Sequence, residues 1–86
     1  MKEIITEKRF KDLFGTSISI ENRFGITAVL SNVKQVLFNK SPNIERFRGL
    51  VSFYEQGLDK GGNCVMKLVF RTKDYKKLKD YLKKNR

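Results

Sequence analysis

Histidine is absent from these 86 residues, and cysteine and proline each occur once. Without histidine and with a single thiol, no Ser–His or Cys–His nucleophilic pair can be assembled. Any zinc site would have to recruit at least two carboxylates. Cys64 closes no internal disulfide, and a lone thiol suits a reducing compartment, so a cytoplasmic location is expected. No apolar run approaches the ~20 residues that span a bilayer, and Met1–Phe14 alternates charged and apolar residues where a cleaved signal would carry an apolar stretch. Carboxylates are scarce as well: 9 Asp+Glu stand against 19 Lys+Arg, a formal net charge of +10. The spacing of those acids brings no two or three of them together on a magnesium ion. Asp74-Tyr75-Lys76 has the look of a nuclease-motif fragment, but it has no partner carboxylate on an upstream strand. Gly61-Gly62 lacks the following helix and the Lys-Ser/Thr of a phosphate loop, and a hairpin turn explains it. The chain therefore reads as non-enzymatic, with no metal and no cofactor.

What remains is enough to fold. Hydrophobic residues make up 40% and aromatics 12% of the chain, so apolar burial can offset chain entropy. The length allows one domain, residues 1–86, and a chain of this size buries only about 60–65% of its unfolded surface, which leaves stability marginal. There is no repeat, low-complexity tract or Gly/Ser/Pro-rich linker. The one break is Asn39-Lys40-Ser41-Pro42-Asn43, which separates a half with 7 basic and 4 acidic residues (+3) from a half with 12 and 5 (+7).

The periodicity predicts six elements. Thr6 caps a short helix whose apolar face is Phe10, Leu13 and Phe14 and which Gly15 ends in a left-handed conformation. Thr16–Glu21 alternates as an edge strand. Ile26, Val29, Leu30, Val33, Val36 and Leu37 recur at i, +3, +4, +7, +10 and +11, which predicts a helix ended by Ser41-Pro42. From Phe47 to Tyr54 and from Cys64 to Arg71 the period is two, and the glycine-bearing stretch between them predicts a hairpin. A turn centred on Lys60-Gly61 sets Phe53 opposite Leu68; one centred on Gly61-Gly62 sets it opposite Phe70. Cys64 falls on the inward row in either register. Thr72 caps a last helix that buries Tyr75, Leu78, Tyr81 and Leu82. The expected fold is a small single-domain α+β two-layer sandwich in the order α-β-α-β-β-α, with a mostly antiparallel sheet and in part a split-βαβ, ferredoxin-like arrangement. Lys2–Ile5 could supply the strand that pattern lacks.

Charge points to partners. Residues 73–86 hold seven basic and two acidic groups, a net +5, half of the molecule's excess. On a helical wheel the lysines oppose the apolar arc, so the helix can dock by one side and hold ammonium groups outward, where they can lie against phosphates. The alternative is a solvated face in which cations near the helix C-terminus interact with its dipole and Asp80 pairs with Lys84. A second row of Arg46, Arg48, Lys67 and Arg71, interleaved with Ser52 and Tyr54, is expected on the outward side of the hairpin, as in binders of single-stranded nucleic acid. The competing reading is that Phe10, Leu13 and Phe14 cover that side. An RNA-recognition Gly-aromatic signature is absent. The order of elements also suggests a double-stranded-RNA domain, but a predicted helix at 26–37 stands where that domain needs a strand. Bulky apolar residues are needed to hold the last helix to its own sheet, so membrane association is not expected.

The leading expectation is a small basic protein binding DNA or RNA through backbone contacts from Lys73, Lys76, Lys77, Lys83, Lys84 and Arg86, with Arg46, Arg48, Lys67, Arg71 and Tyr54 as a second patch. The alternative is a protein-interaction module, a regulator, inhibitor or assembly component of phage or mobile-element type, docking on an acidic protein surface with Tyr54, Tyr81 or Phe24 as anchors. An uncovered edge strand would permit a homodimer.

Overall fold

Five strands follow one another in a single antiparallel meander, β1 (Ile18–Asn22), β2 (Gly25–Ser31), β3 (Lys34–Asn39), β4 (Val51–Leu58) and β5 (Cys64–Thr72), in the spatial order of the sequence. The computed structural model describes residues 3–85. Helix α1 (Glu7–Phe14) precedes the sheet and helix α2 (Tyr75–Lys84) follows it. The α+β class and the antiparallel sheet stand as expected. The order does not: it is α-β-β-β-β-β-α, every sheet connection joins neighbours, and no split-βαβ crossover occurs among the described residues.

The correction lies at residues 26–37. In place of a helix, β2 and β3 form a hairpin in which Ile26 pairs with Phe38 and Ala28 with Val36. Those four side chains are buried, whereas Val29, Leu30 and Val33 of the supposed helical stripe are exposed. The 3.6-residue spacing arose because two period-two strands meet in a turn that resets their phase. An irregularity between Val29 and Ser31 shifts the register, and the Ser31 hydroxyl accepts a hydrogen bond from the Val33 N–H at 3.2 Å. β-Branched Ile and Val fit such a pleated, half-buried surface.

Both helices lie on one face of the sheet. Thr6 caps α1 as expected, its hydroxyl accepting from the Arg9 N–H at 3.1 Å. Phe10 and Phe14 pack with ring centroids 4.8 Å apart, Phe10 lies 5.4 Å from Phe38, and Phe14 lies 6.2 Å from Phe53. The aromatic cluster of α1 thus covers the same face as α2, not the outward side of the β4–β5 hairpin. Gly15 is right-handed, with φ −50° and ψ −42°, and leads into a 3₁₀ turn (Gly15–Ser17) instead of ending the helix with a left-handed stop. Ile5, Ile26, Val36, Val51 and Leu78 complete the buried core between the layers.

The N-terminal segment forms no strand among the described residues. Ile4 makes an isolated bridge to Asp74, and Tyr75 donates its N–H to the Glu3 carbonyl at 2.8 Å; Lys2 lies outside the described residues. Two lysines clamp α1 to the sheet. Lys11 meets Glu21 at 2.9 Å, and Lys40 meets Glu7 at 2.6 Å and Glu21 at 3.6 Å. Lys11 first, and Lys40 after it, holds the Glu21 carboxyl below its ordinary value of 4.5. A carboxyl with a depressed folded pKa contributes stability above its unfolded pKa and loses it as pH falls through the folded value. Thermal melts of wild type and Glu21→Gln are therefore expected to differ at neutral pH and to converge as the pH falls through the lowered carboxyl value of the folded state. A difference that persisted at low pH would show that Glu21 acts by packing alone.

Candidate nucleic-acid interface

The cationic surface is built on the way α2 is started and seated. Thr72 is not its cap: buried at the end of β5, Thr72 accepts the Asp74 N–H on its hydroxyl at 3.1 Å. Asp74 is the cap, accepting from the Lys76 N–H at 3.0 Å. Leu78 is wholly buried, and Tyr75, Tyr81 and Leu82 pack against the core. Tyr81 stacks on Phe70 with centroids 4.3 Å apart and planes within 2°, and lies 4.7 Å from Phe53. Burial, with the Glu55 charge adding to it, pushes the Tyr81 hydroxyl above its ordinary value of 10.0, so it stays neutral and structural.

With that side buried, the helical period turns Lys76, Lys77, Lys79, Lys83 and Lys84 to solvent, preceded by exposed Lys73. Asp80 is the one acid on that arc. Its expected ion pair with Lys84 is not formed. Among the described residues the ion pairs engage only Arg9, Lys11, Lys34 and Lys40. The acids are mostly committed elsewhere. Glu3 meets Arg9, Glu7 and Glu21 hold the α1 clamp, and Glu55 meets Lys34. Asp59 accepts the N–H groups of Gly61 and Asn63 in the β4–β5 turn, each at 2.9 Å. Two lysines have partial ties. Lys79 lies 4.7 Å from the Tyr75 ring centroid, and Lys73 reaches the Glu45 carbonyl at 3.5 Å. Lys76, Lys77, Lys83 and Lys84 thus form one exposed row on one helix with no carboxylate paired to them. Arg86 lies outside the described residues.

The second expected patch does not assemble as one row. Residues 45–47 form a 3₁₀ turn, where the Arg46 guanidinium lies 4.9 Å from the Phe47 ring centroid. Arg48 donates to the carbonyls of Ser41 at 3.4 Å and Pro42 at 3.1 Å, strapping the loop after β3. In the hairpin Phe53 pairs with Phe70, as in the Gly61-Gly62 register, but Tyr54 pairs with Leu68, so one residue of β5 is unmatched. That bulge exchanges faces along β5. Lys67 stands opposite Glu55 on the helix-bearing side, while Arg71 stands opposite Ser52 and shares the open face with half-buried Tyr54. The same exchange moves Met66 and Leu68 outward and leaves Cys64 exposed, contrary to its expected burial.

Among the described residues no three His, Cys, Asp or Glu side chains gather as metal ligands, and no helix is long and apolar enough to cross a membrane. No family model, curated protein or solved structure matches the chain.

Proposed function

We propose that this chain is a non-enzymatic nucleic-acid-binding protein that meets the phosphate backbone with the exposed face of α2. The observation that supports this reading is the exposed row of Lys76, Lys77, Lys83 and Lys84, none of which forms an ion pair with a carboxylate of the described residues. A solvated helix face would profit from intrahelical ion pairs, and Asp80 makes none here. Lysines are compact charges on flexible stems, suited to phosphate contact and not to base readout, so the expected binding tolerates sequence. The anchors that would serve an acidic protein partner are not on this surface. Tyr54 and Tyr81 are half-buried, and Phe24 belongs to the β1–β2 turn.

The test is fluorescence anisotropy with labelled single- and double-stranded DNA and RNA at several salt concentrations. Each phosphate contact contributes about 0.7–0.9 to the slope of log affinity on log salt, so changing Lys76, Lys77, Lys83 and Lys84 together to Gln should reduce the slope by about 3 and the affinity about 100-fold. Asp80→Asn should raise affinity a few-fold, because it removes the one negative charge in the row. Binding without a salt slope, or unchanged in the four-lysine variant, would remove α2 as the contact surface.

A further inference from the structure

Beside the lysine row, where α2 runs along β5, helix and sheet leave an open depression. Lys77, Asp80, Tyr81 and Lys84, at the i, i+3, i+4 and i+7 positions of α2, line it together with Phe70 of β5. β5 is the last strand of the sheet, and no further strand of the described residues closes the depression on its outer side. Its apolar part is a ring stack. Phe70 and Tyr81 lie parallel, with planes within 2° and centroids 4.3 Å apart, whereas every other aromatic contact among the described residues is tilted or edge-on. Phe53 of β4 stands 4.7 Å from Tyr81 and 6.2 Å from Phe70. The core thus takes the inner side of the stack, and half-buried Phe70, on the edge strand, is the ring at its outer end.

Charge and shape together select the occupant. Lys77 and Lys84 belong to the row that no ion pair engages, and they stand ~10 Å apart along the helix axis with Asp80 between them. Phosphates are drawn to the two lysines and repelled at the acid, which leaves the middle of the depression to a group without negative charge. In a nucleic acid that group is a base. The bases of a duplex are paired and stacked on one another, whereas an unpaired base can lie on a protein ring. An acidic peptide would also answer the lysines, but its carboxylates would meet Asp80, and a carboxylate makes no use of a flat ring. Given the phosphate contacts proposed for α2, on which this depends, we infer that the partner is a single-stranded nucleic acid. One base stacks on Phe70 and extends the Phe70–Tyr81 pair, while Lys77 and Lys84 hold the phosphates on either side of it. Every base has a flat face, so the site tolerates sequence as the lysines do.

Anisotropy of the full chain with short labelled oligo(dT) and oligo(U), a duplex of the same length and an abasic strand with the same phosphates tests this. Both single strands should bind about 10-fold tighter than the abasic strand, and tighter than the duplex despite its higher charge density. Phe70→Leu keeps the position apolar and removes the flat ring. It should weaken the single strands about 10-fold while leaving their salt slope, and the binding of the duplex and the abasic strand, unchanged. The Phe70 ring-proton signals should move upfield on addition of oligo(dT) and stay in place on addition of the abasic strand. An abasic strand or a duplex bound as tightly as the single strands, a Phe70→Leu protein that binds them like wild type, or Phe70 signals unmoved in the complex would overturn the inference and leave α2 as a phosphate-binding surface. Absence of salt-dependent binding to all four probes would overturn both readings. Polyglutamate that displaces the single strands as well as unlabelled oligo(dT) does would overturn the inference in favour of an acidic protein surface. If Phe70→Leu fails to fold, the ring signals of the wild type with oligo(dT) and with the abasic strand decide.

Discussion

Phe10→Ala is expected to cost about 3–5 kcal/mol, a large part of the roughly 5–15 kcal/mol that holds a small domain folded. Phe10 is fully buried and is among the largest of the fully buried side chains. It touches the two aromatic groups that tie α1 to the sheet, Phe14 at 4.8 Å and Phe38 at 5.4 Å between centroids. Truncation removes both contacts and opens a void between α1 and β3 that a backbone anchored by the Lys11, Lys40 and Glu21 clamp cannot fully close. Leu13→Ala on the same helix should cost less than about 1 kcal/mol, because Leu13 is more than a third exposed. Urea titration checks both, with an unchanged m-value expected for each. Equal losses at the two positions would mean that α1 contributes through helix formation alone and not through Phe10.

Where the sequence was legible, a local signal and the tertiary context agreed. Thr6 is followed by an acidic first turn and by apolar residues at helical spacing, and α1 starts where those signals place it. In α2 the lysines and apolar residues alternate with a clean helical period, so its exposed row could be named before any fold was known. Its cap lies two residues beyond the expected Thr72, because Thr72 and Asp74 both have capping side chains. Only the end of β5, where Thr72 is buried beside the core, decides between them. The bulge between Phe53 and Tyr54 is different in kind. Nothing local to Cys64–Arg71 announces it, and its effect on Lys67, Met66 and Leu68 is complete, since a slip of one residue exchanges faces. The four-cation row failed for that reason, together with a 3₁₀ turn at residues 45–47 where alternation suggested a strand. The charge-poor outer face is equally hidden. It appears only when five strands are laid side by side, because its members come from five separate stretches of the chain.

Val36→Asp is expected to destabilise by more than about 4 kcal/mol, enough to unfold much of the population, whereas Val29→Lys and Val33→Lys should each stay within about 0.5 kcal/mol of wild type. Val36 is fully buried on β3, opposite Ala28 on one side and Phe53 on the other, and the core around it offers no cation to a carboxylate. Val29 and Val33 are 40% and 46% exposed, and a lysine at either can extend its ammonium into water. The contrast separates the two architectures for residues 26–37. On a helix, Val29, Val33 and Val36 would share one apolar stripe, and all three changes would be costly. On the hairpin, the turn after Ser31 puts Val33 at its tip and sends Val29 to the open face, so only Val36 is in the core. Chemical denaturation of the three variants beside wild type checks the ranking, and a loss at Val29 or Val33 comparable to that at Val36 would contradict the hairpin.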